Sequence, residues 1–135
     1  MKEAVDTGLK PPSHPLEWAI IGGGTLYTSH IAMKPDGSRE TGDFKAQAQL
    51  TFNNLKRTVE AAGGTMADVT QVIVYLTKRE SFAEMNEIYA RCFPKPYPNR
   101  ATIIANLVGP EALIEIVAYA HLATSANHQP RSQER

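Results

Sequence analysis

At Gly63-Gly64 the apolar pattern of the chain changes period. Before that pair, Phe44, Ala48, Phe52, Leu55, Val59 and Ala62 recur at spacings of three and four, on one face of a helix running from Phe44 to Ala62. Lys45, Gln49, Lys56 and Glu60 fall elsewhere. After it, Val69–Thr77 reads VTQVIVYLT, β-branched and aromatic, and apolar on both sides for several residues, as a central strand is. The two glycines supply the helix stop. A long amphipathic helix delivered into a central strand requires a layer of helix on sheet.

The flanking segments extend this layer. Trp18–Ile21, Gly22-Gly23-Gly24 and Leu26–Ile31 read as two short strands around a glycine turn. Pro35-Asp36-Gly37-Ser38 is a turn signal, and a second loop closes at Thr41-Gly42-Asp43. Ser81-Phe82-Ala83-Glu84 has the pattern of a capping box. It opens a helix with Phe82, Met85, Tyr89 and Cys92 toward the core, ended by Pro94, Pro96 and Pro98. Ala101–Leu107 is a strand, Val108-Gly109-Pro110 a turn, and Leu113–Leu122 the last strand. There, alternation puts Ile114, Ile116, Ala118 and Ala120 on one face and Leu113, Glu115, Val117, Tyr119 and His121 on the other. The expected fold is α+β, in the order β-β-α-β-α-β-β, a mixed sheet with two helices on one face. The second sheet face is too apolar to stay wet, which predicts a homo-oligomer. Residues 1–15 read as an extended arm, 16–123 as a single domain, and 124–135 as a disordered tail.

A chain of 135 residues is one domain's worth, and its balance of 42% hydrophobic to 21% charged residues excludes a disordered polypeptide. Fourteen basic residues against fourteen acidic leave no net charge, so the cationic excess of a nucleic-acid binder is missing. A single cysteine, Cys92, excludes an internal disulfide and a Cys-rich zinc cage. No apolar run reaches the roughly 18 residues that span a bilayer, and Met1–Pro15 lacks a secretory core. A cytoplasmic protein is expected.

Two residues stand out chemically. Arg100 starts a strand after the stiff run Pro94-Lys95-Pro96-Tyr97-Pro98, an arrangement suited to bidentate carboxylate binding. The plainer alternative is an ordinary surface arginine. Glu115 interrupts an apolar strand, where it needs a cation, a donor or water in a cleft, and it could act as a general base or water-positioning group. The plainer alternative is a salt-bridged or edge-facing glutamate. Ser29, ending the second strand, and Asn86, early in the second helix, are candidate hydrogen-bonding groups in a cleft; taken singly, they are more often a turn residue and a helix-surface amide. Ser29 has no nucleophile elbow around it. Gly22-Gly23-Gly24 lacks phosphate-loop spacing. His14, His30, His121 and His128 lack metal-ligand spacing, so no metal is expected. His30, beside Ser29, is foremost a structural or rim histidine. Cys92 reads as an inert core thiol.

Together these residues resemble the Rid/YjgF family, also called RidA or reactive-intermediate deaminases. The matching segments are Leu26-Tyr27-Thr28-Ser29; Gly42-Asp43-Phe44 with Gln47 and Asn54-Leu55; Glu60-Ala61-Ala62-Gly63; Asp68-Val69; Phe82 with Asn86 and Tyr89; Pro98-Asn99-Arg100; and Ile114-Glu115-Ile116. The resemblance covers about residues 15–123. It implies a chorismate-mutase-like fold and a homotrimer whose sheets form a central barrel with clefts between subunits. It also implies hydrolysis of 2-imino and 2-enamino acids, such as 2-aminoacrylate, to 2-oxo acids and ammonia without a cofactor. Arg100 matches the arginine that clamps the substrate carboxylate, Glu115 the glutamate associated with the attacking water, and Ser29 and Asn86 cleft positions. Tyr97, in the proline run, joins the candidate substrate contacts. The chain departs from the pattern with Leu16 in place of a cleft tyrosine, His30 in place of a glycine, and Thr102 where some members have cysteine. Two alternatives remain: a pathway-specific deaminase of a dicarboxylic enamine such as 2-aminomuconate, with His30 as a further polar contact, and a non-catalytic binder of small carboxylates.

Overall fold

The computed structural model describes residues 1–123; the tail expected over 124–135 lies outside the described residues. Helix α1 spans Phe44–Ala61, and Asp43 caps it by accepting from the Ala46 amide at 2.9 Å. It ends in a Schellman turn. Gly63, at φ +93°, donates its amide to the Glu60 carbonyl, and Gly64 donates to that of Val59. The period change at Gly63-Gly64 is therefore a physical corner.

The strands are β1 (Glu3–Ala4), β2 (Ala19–Gly22), β3 (Thr25–His30), β4 (Val69–Leu76), β5 (Asn99–Ile104) and β6 (Ile114–His121). They form one sheet in the order β1-β2-β3-β6-β4-β5. Only β4 and β5 run parallel, joined through helix α2 (Phe82–Cys92). The β2–β3 hairpin turns on Gly23 and Gly24, both at positive φ, as a two-residue type I′ loop demands.

Both helices cover one face. There Leu26, Val72, Val74, Leu76, Ile114, Ile116 and Ala118 meet Phe52, Leu55, Val59, Met85 and Ile88, all nearly inaccessible. Phe52, Tyr89 and Phe93 form an aromatic cluster, with Tyr89 and Phe93 centroids 4.6 Å apart. On the open face Tyr27 packs edge-on against Tyr119 at 5.5 Å while remaining 47% exposed, and Ile103 is also exposed.

The expected element order is present with one addition. Glu3–Ala4 of the N-terminal arm pairs with Ile21 and Ile20 as β1. Two residues carry no periodicity, so only the pairing reveals this strand. β5 begins at Asn99 and stops at Ile104, short of the expected Leu107. At helix α2 the expectation was wrong in two respects. Ser81 is the last residue of a 3-10 turn over Arg79–Ser81 and so has helical backbone angles, whereas a capping serine needs extended ones to aim its hydroxyl at an amide of the first turn; it makes no side-chain cap. Phe82 is 45% exposed, and Ile88 fills the core beside Met85 and Tyr89. A helix entered through a 3-10 turn presents its first residue to the side. Cys92 is half-buried, and that burial pushes its thiol pKa up.

Candidate active site

The alternation of β6 sorts its side chains into two populations. Ile114, Ile116, Ala118 and Ala120 enter the core, while Glu115, Val117 and Tyr119 occupy the open face, half-buried. On β3, Ser29 lies opposite Val117 in register. That makes Ser29 and Glu115 diagonal neighbours on one face of the sheet. They share a cleft of about 400 Å³ with Leu16, Trp18, His30 and Arg39. Burial raises the Glu115 pKa, and the nearby Arg39 guanidinium opposes that rise.

Two buried amides hold this cleft in shape. Gln47 Nε2 donates to the Gly42 and Glu111 carbonyls, and its Oε1 accepts from the Leu113 amide at 2.9 Å. It thus pins the approach to β6 two residues before Glu115. Asn54 Nδ2 donates to the carbonyls of Ile31 and Met33, at 3.2 and 2.9 Å, and fixes the chain leaving β3 just after Ser29 and His30. Buried amides with these bonds made are rigid anchors, and with the bonds broken they are costly.

His30 faces inward and is 2% exposed. Thr28 Oγ1 gives its proton to the Trp18 carbonyl at 2.6 Å, so it can only accept at its 2.7 Å contact with His30 Nε2. His30 is accordingly the neutral Nε2–H tautomer. Its desolvation holds the pKa down at about 3. It borders the cleft on the chain, but its ring belongs to the interior.

Arg100 stands elsewhere. In register it lies beside Val72, a core residue, so its side chain is on the helix-covered side at the sheet edge. Its guanidinium stacks 4.7 Å from the Tyr89 ring centroid and 5.8 Å from that of Phe82, with Nη1 3.7 Å from Met85 Sδ. Asn86, Tyr97 and Pro98 complete a hollow of about 380 Å³ around it. Thr102 follows on the same side of β5, beside Val74. One chain therefore carries two groupings on opposite sides of its sheet. Arg100 is with Asn86, Tyr97 and Thr102; Glu115 is with Ser29 and Leu16, while the His30 ring, opposite Ile116 in register, is turned into the core. The stacking aromatics fix the plane of the Arg100 guanidinium and supply no negative charge to it. Among the described residues no cluster of three or more His, Cys, Asp or Glu side chains could hold a metal ion. No helix among them is long and apolar enough to cross a membrane.

The family model described as Endoribonuclease L-PSP matches residues 8–122. The chain belongs to the Rid/YjgF family. RidA from the Antarctic bacterium Psychrobacter is 30% identical to this Rid chain, over 89% of this chain and 99% of that one, with a TM-score of 0.82. YyfA of Yersinia pestis, described as a Rid-family protein of unknown function, is 26% identical over 90% and 100%, with a TM-score of 0.84. Escherichia coli TdcF, solved with bound serine, is 25% identical over 90% and 99%, with a TM-score of 0.82. The mixed sheet with two helices on one face is the chorismate-mutase-like fold of Rid proteins.

Sequence reasoning about this Rid chain passed over Arg39 and Lys10, both of which line the Glu115 cleft. Arg39 follows the Pro35–Ser38 turn with no local sign of a role. Only the fold brings it beside Glu115.

Proposed function

We propose that the protein hydrolyses 2-imino or 2-enamino acids to 2-oxo acids and ammonia, in composite clefts where the Arg100 side of one copy meets the Glu115 side of the next in a cytoplasmic homotrimer. The observation that carries this reading is the state of Arg100: an oriented, aromatic-stacked guanidinium beside a ligand-sized hollow whose lining, among the described residues, holds no carboxylate. An α-carboxylate is the anion such a planar fork matches. The open sheet face, with exposed Tyr27 and Ile103, gives the second copy its seat. TdcF with bound serine and the neighbour named RidA support a small amino-acid-like ligand for this architecture.

In this reading Arg100 holds the carboxylate, and Asn86 and Ser29 supply hydrogen bonds at the rim. Glu115, its pKa raised by half-burial, takes a proton from water as the water oxygen bonds to the imine carbon. The C=N pair moves to nitrogen, which takes up a proton, giving a carbinolamine. The carbinolamine hydroxyl then gives up its proton to the leaving nitrogen, by way of Glu115, as C=O forms and the C–N bond breaks to release ammonia. Water is consumed one for one and no redox partner is needed. Fixing water and substrate together removes much of the entropic barrier.

The test is complementation. Arg100→Ala and Glu115→Gln are each expected to lose ammonia release from an imino acid generated in situ. Because each cleft would draw one group from each neighbour, co-refolding the two inactive variants in equal amounts restores about a quarter of the wild-type sites under random assortment. Full activity in Arg100→Ala refutes the assignment, and no recovery in the mixture refutes the shared cleft. Carboxylate binding by the wild type without ammonia release would instead make it a binding protein.

A further inference from the structure

Phe82 is the least expected neighbour of Arg100. It opens helix α2 at 45% exposure, although the apolar pattern assigns it to the core. The 3-10 turn over Arg79–Ser81 delivers it to the side of the helix instead. Phe82 and Tyr89 are about two helical turns apart, so they share one stripe of α2 with Met85 between them. The Arg100 guanidinium lies along that stripe. Its Cζ is 4.7 Å from the Tyr89 centroid and 5.8 Å from that of Phe82, and Nη1 is 3.7 Å from Met85 Sδ.

The three contacts differ in what else they do. Met85 is fully buried, and Tyr89 packs with Phe52 and Phe93, so the core needs both in any case. Burial pushes the Tyr89 pKa up to about 12, with Arg100 opposing the rise, so Tyr89 meets the cation as a neutral ring. Phe82 stands outside the core cluster and outside the lining of the hollow beside Arg100. Tyr97, an exposed ring that does line the hollow, has Lys95 Nζ 6.0 Å from its centroid instead. What Phe82 touches that matters is Arg100.

An arginine side chain samples many rotamers, and ordering it only when a ligand arrives costs affinity. Stacking occupies the faces of the guanidinium and leaves its in-plane N–H fork for a ligand. We propose that Phe82 is a positioning residue: its ring completes the stack begun by Tyr89 and holds the Arg100 guanidinium aimed before any carboxylate arrives. This rests on the carboxylate clamp proposed above, which assigns Arg100 and gives Phe82 no part. A cation–π contact at an exposed site is worth about threefold in affinity.

Phe82→Leu keeps an apolar side chain and removes the π face, and Phe82→Trp supplies a stronger one. Two measurements on the intact oligomer test the proposal. Nitrogen relaxation of the Arg100 Nε–H group, assigned by its loss in Arg100→Lys, reports the motion of the guanidinium. Calorimetric titration with pyruvate, a 2-oxo acid, reports carboxylate binding. In Phe82→Leu the Nε–H order is expected to fall and pyruvate to bind about threefold more weakly, at an unchanged melting temperature; in Phe82→Trp the order and the affinity are expected to return. Unchanged Nε–H order in Phe82→Leu, or order that Phe82→Trp does not restore, overturns the proposal. Weaker pyruvate binding at unchanged order also overturns it, since Phe82 would then act on the ligand and not through Arg100. Arg100→Ala separates this from the clamp itself. If the wild type does not bind pyruvate, or Arg100→Ala binds it equally well, the carboxylate reading fails, while the relaxation result still decides whether Phe82 orders Arg100.

Discussion

Acidification strikes this fold through His30. The imidazole is 2% exposed, neutral, and committed to donating from Nε2 to Thr28. Desolvation lowers its pKa from 6.5 to about 3. The folded-state pKa is depressed, so the associated stability is complete above pH 6.5 and disappears as pH falls from 6.5 toward 3, where an unfolded chain takes a proton that the folded one refuses. At about 1.4 kcal/mol per pKa unit, the full interval is worth roughly 5 kcal/mol, and at pH 4.5 about 3 kcal/mol of it is gone. That is a large share of an ordinary domain's 5–15 kcal/mol. Urea denaturation of wild type and His30→Gln at pH 7.5, 5.5 and 4.5, at one protein concentration because subunit association adds its own stability, measures the difference. The amide of Gln can donate to Thr28 but cannot titrate. The wild type is expected to lose about 3 kcal/mol more than the variant between pH 7.5 and 4.5. Parallel losses, or a His30 imidazole proton resonance that titrates near pH 6.5, would refute the assignment of His30 as a buried neutral ring.

Other expectations follow from single contacts. Asn54→Ala leaves two carbonyls without their donor and is expected to cost about 2 kcal/mol in urea denaturation. Tyr89→Phe removes a buried hydroxyl that has no hydrogen-bond partner among the described residues, so stability is expected to stay within about 0.5 kcal/mol of wild type, and a loss above about 1.5 would reveal a partner. In the pH profile of kcat/KM, the acid limb is expected above the usual carboxylate range, because burial raises the Glu115 pKa. Arg39→Ala is expected to move that limb further up, since its charge opposes the rise.

Much of this architecture is legible residue by residue. The strict alternation of Ile114–His121 and the glycine pair after Ala62 report local geometry, and each is where the pattern puts it. Ser81 and Phe82 misled because a cap depends on the turn that precedes it, and the 3-10 turn over Arg79–Ser81 has no apolar period. β1 is a tertiary pairing of two residues and has no local signature. At the candidate site, Arg100 and Glu115 each stand out as chemistry in an unusual setting, yet nothing local says that they lie on opposite sides of one chain's sheet. Arg39 is less legible still. Its significance comes from Glu115, far along the chain, which only the fold brings beside it.

The two-residue rhythm of β6 has a consequence for divergence. Its even-numbered positions maintain the interior, and its odd-numbered positions lie on the open face, where Glu115 lines the crevice. Substitution at odd positions can remodel that face with little penalty to the interior. Inserting or deleting one residue exchanges the two sets and ruins both at once. Descendants of this chain can therefore explore new chemistry along this strand by exchanging letters, but not by changing its length.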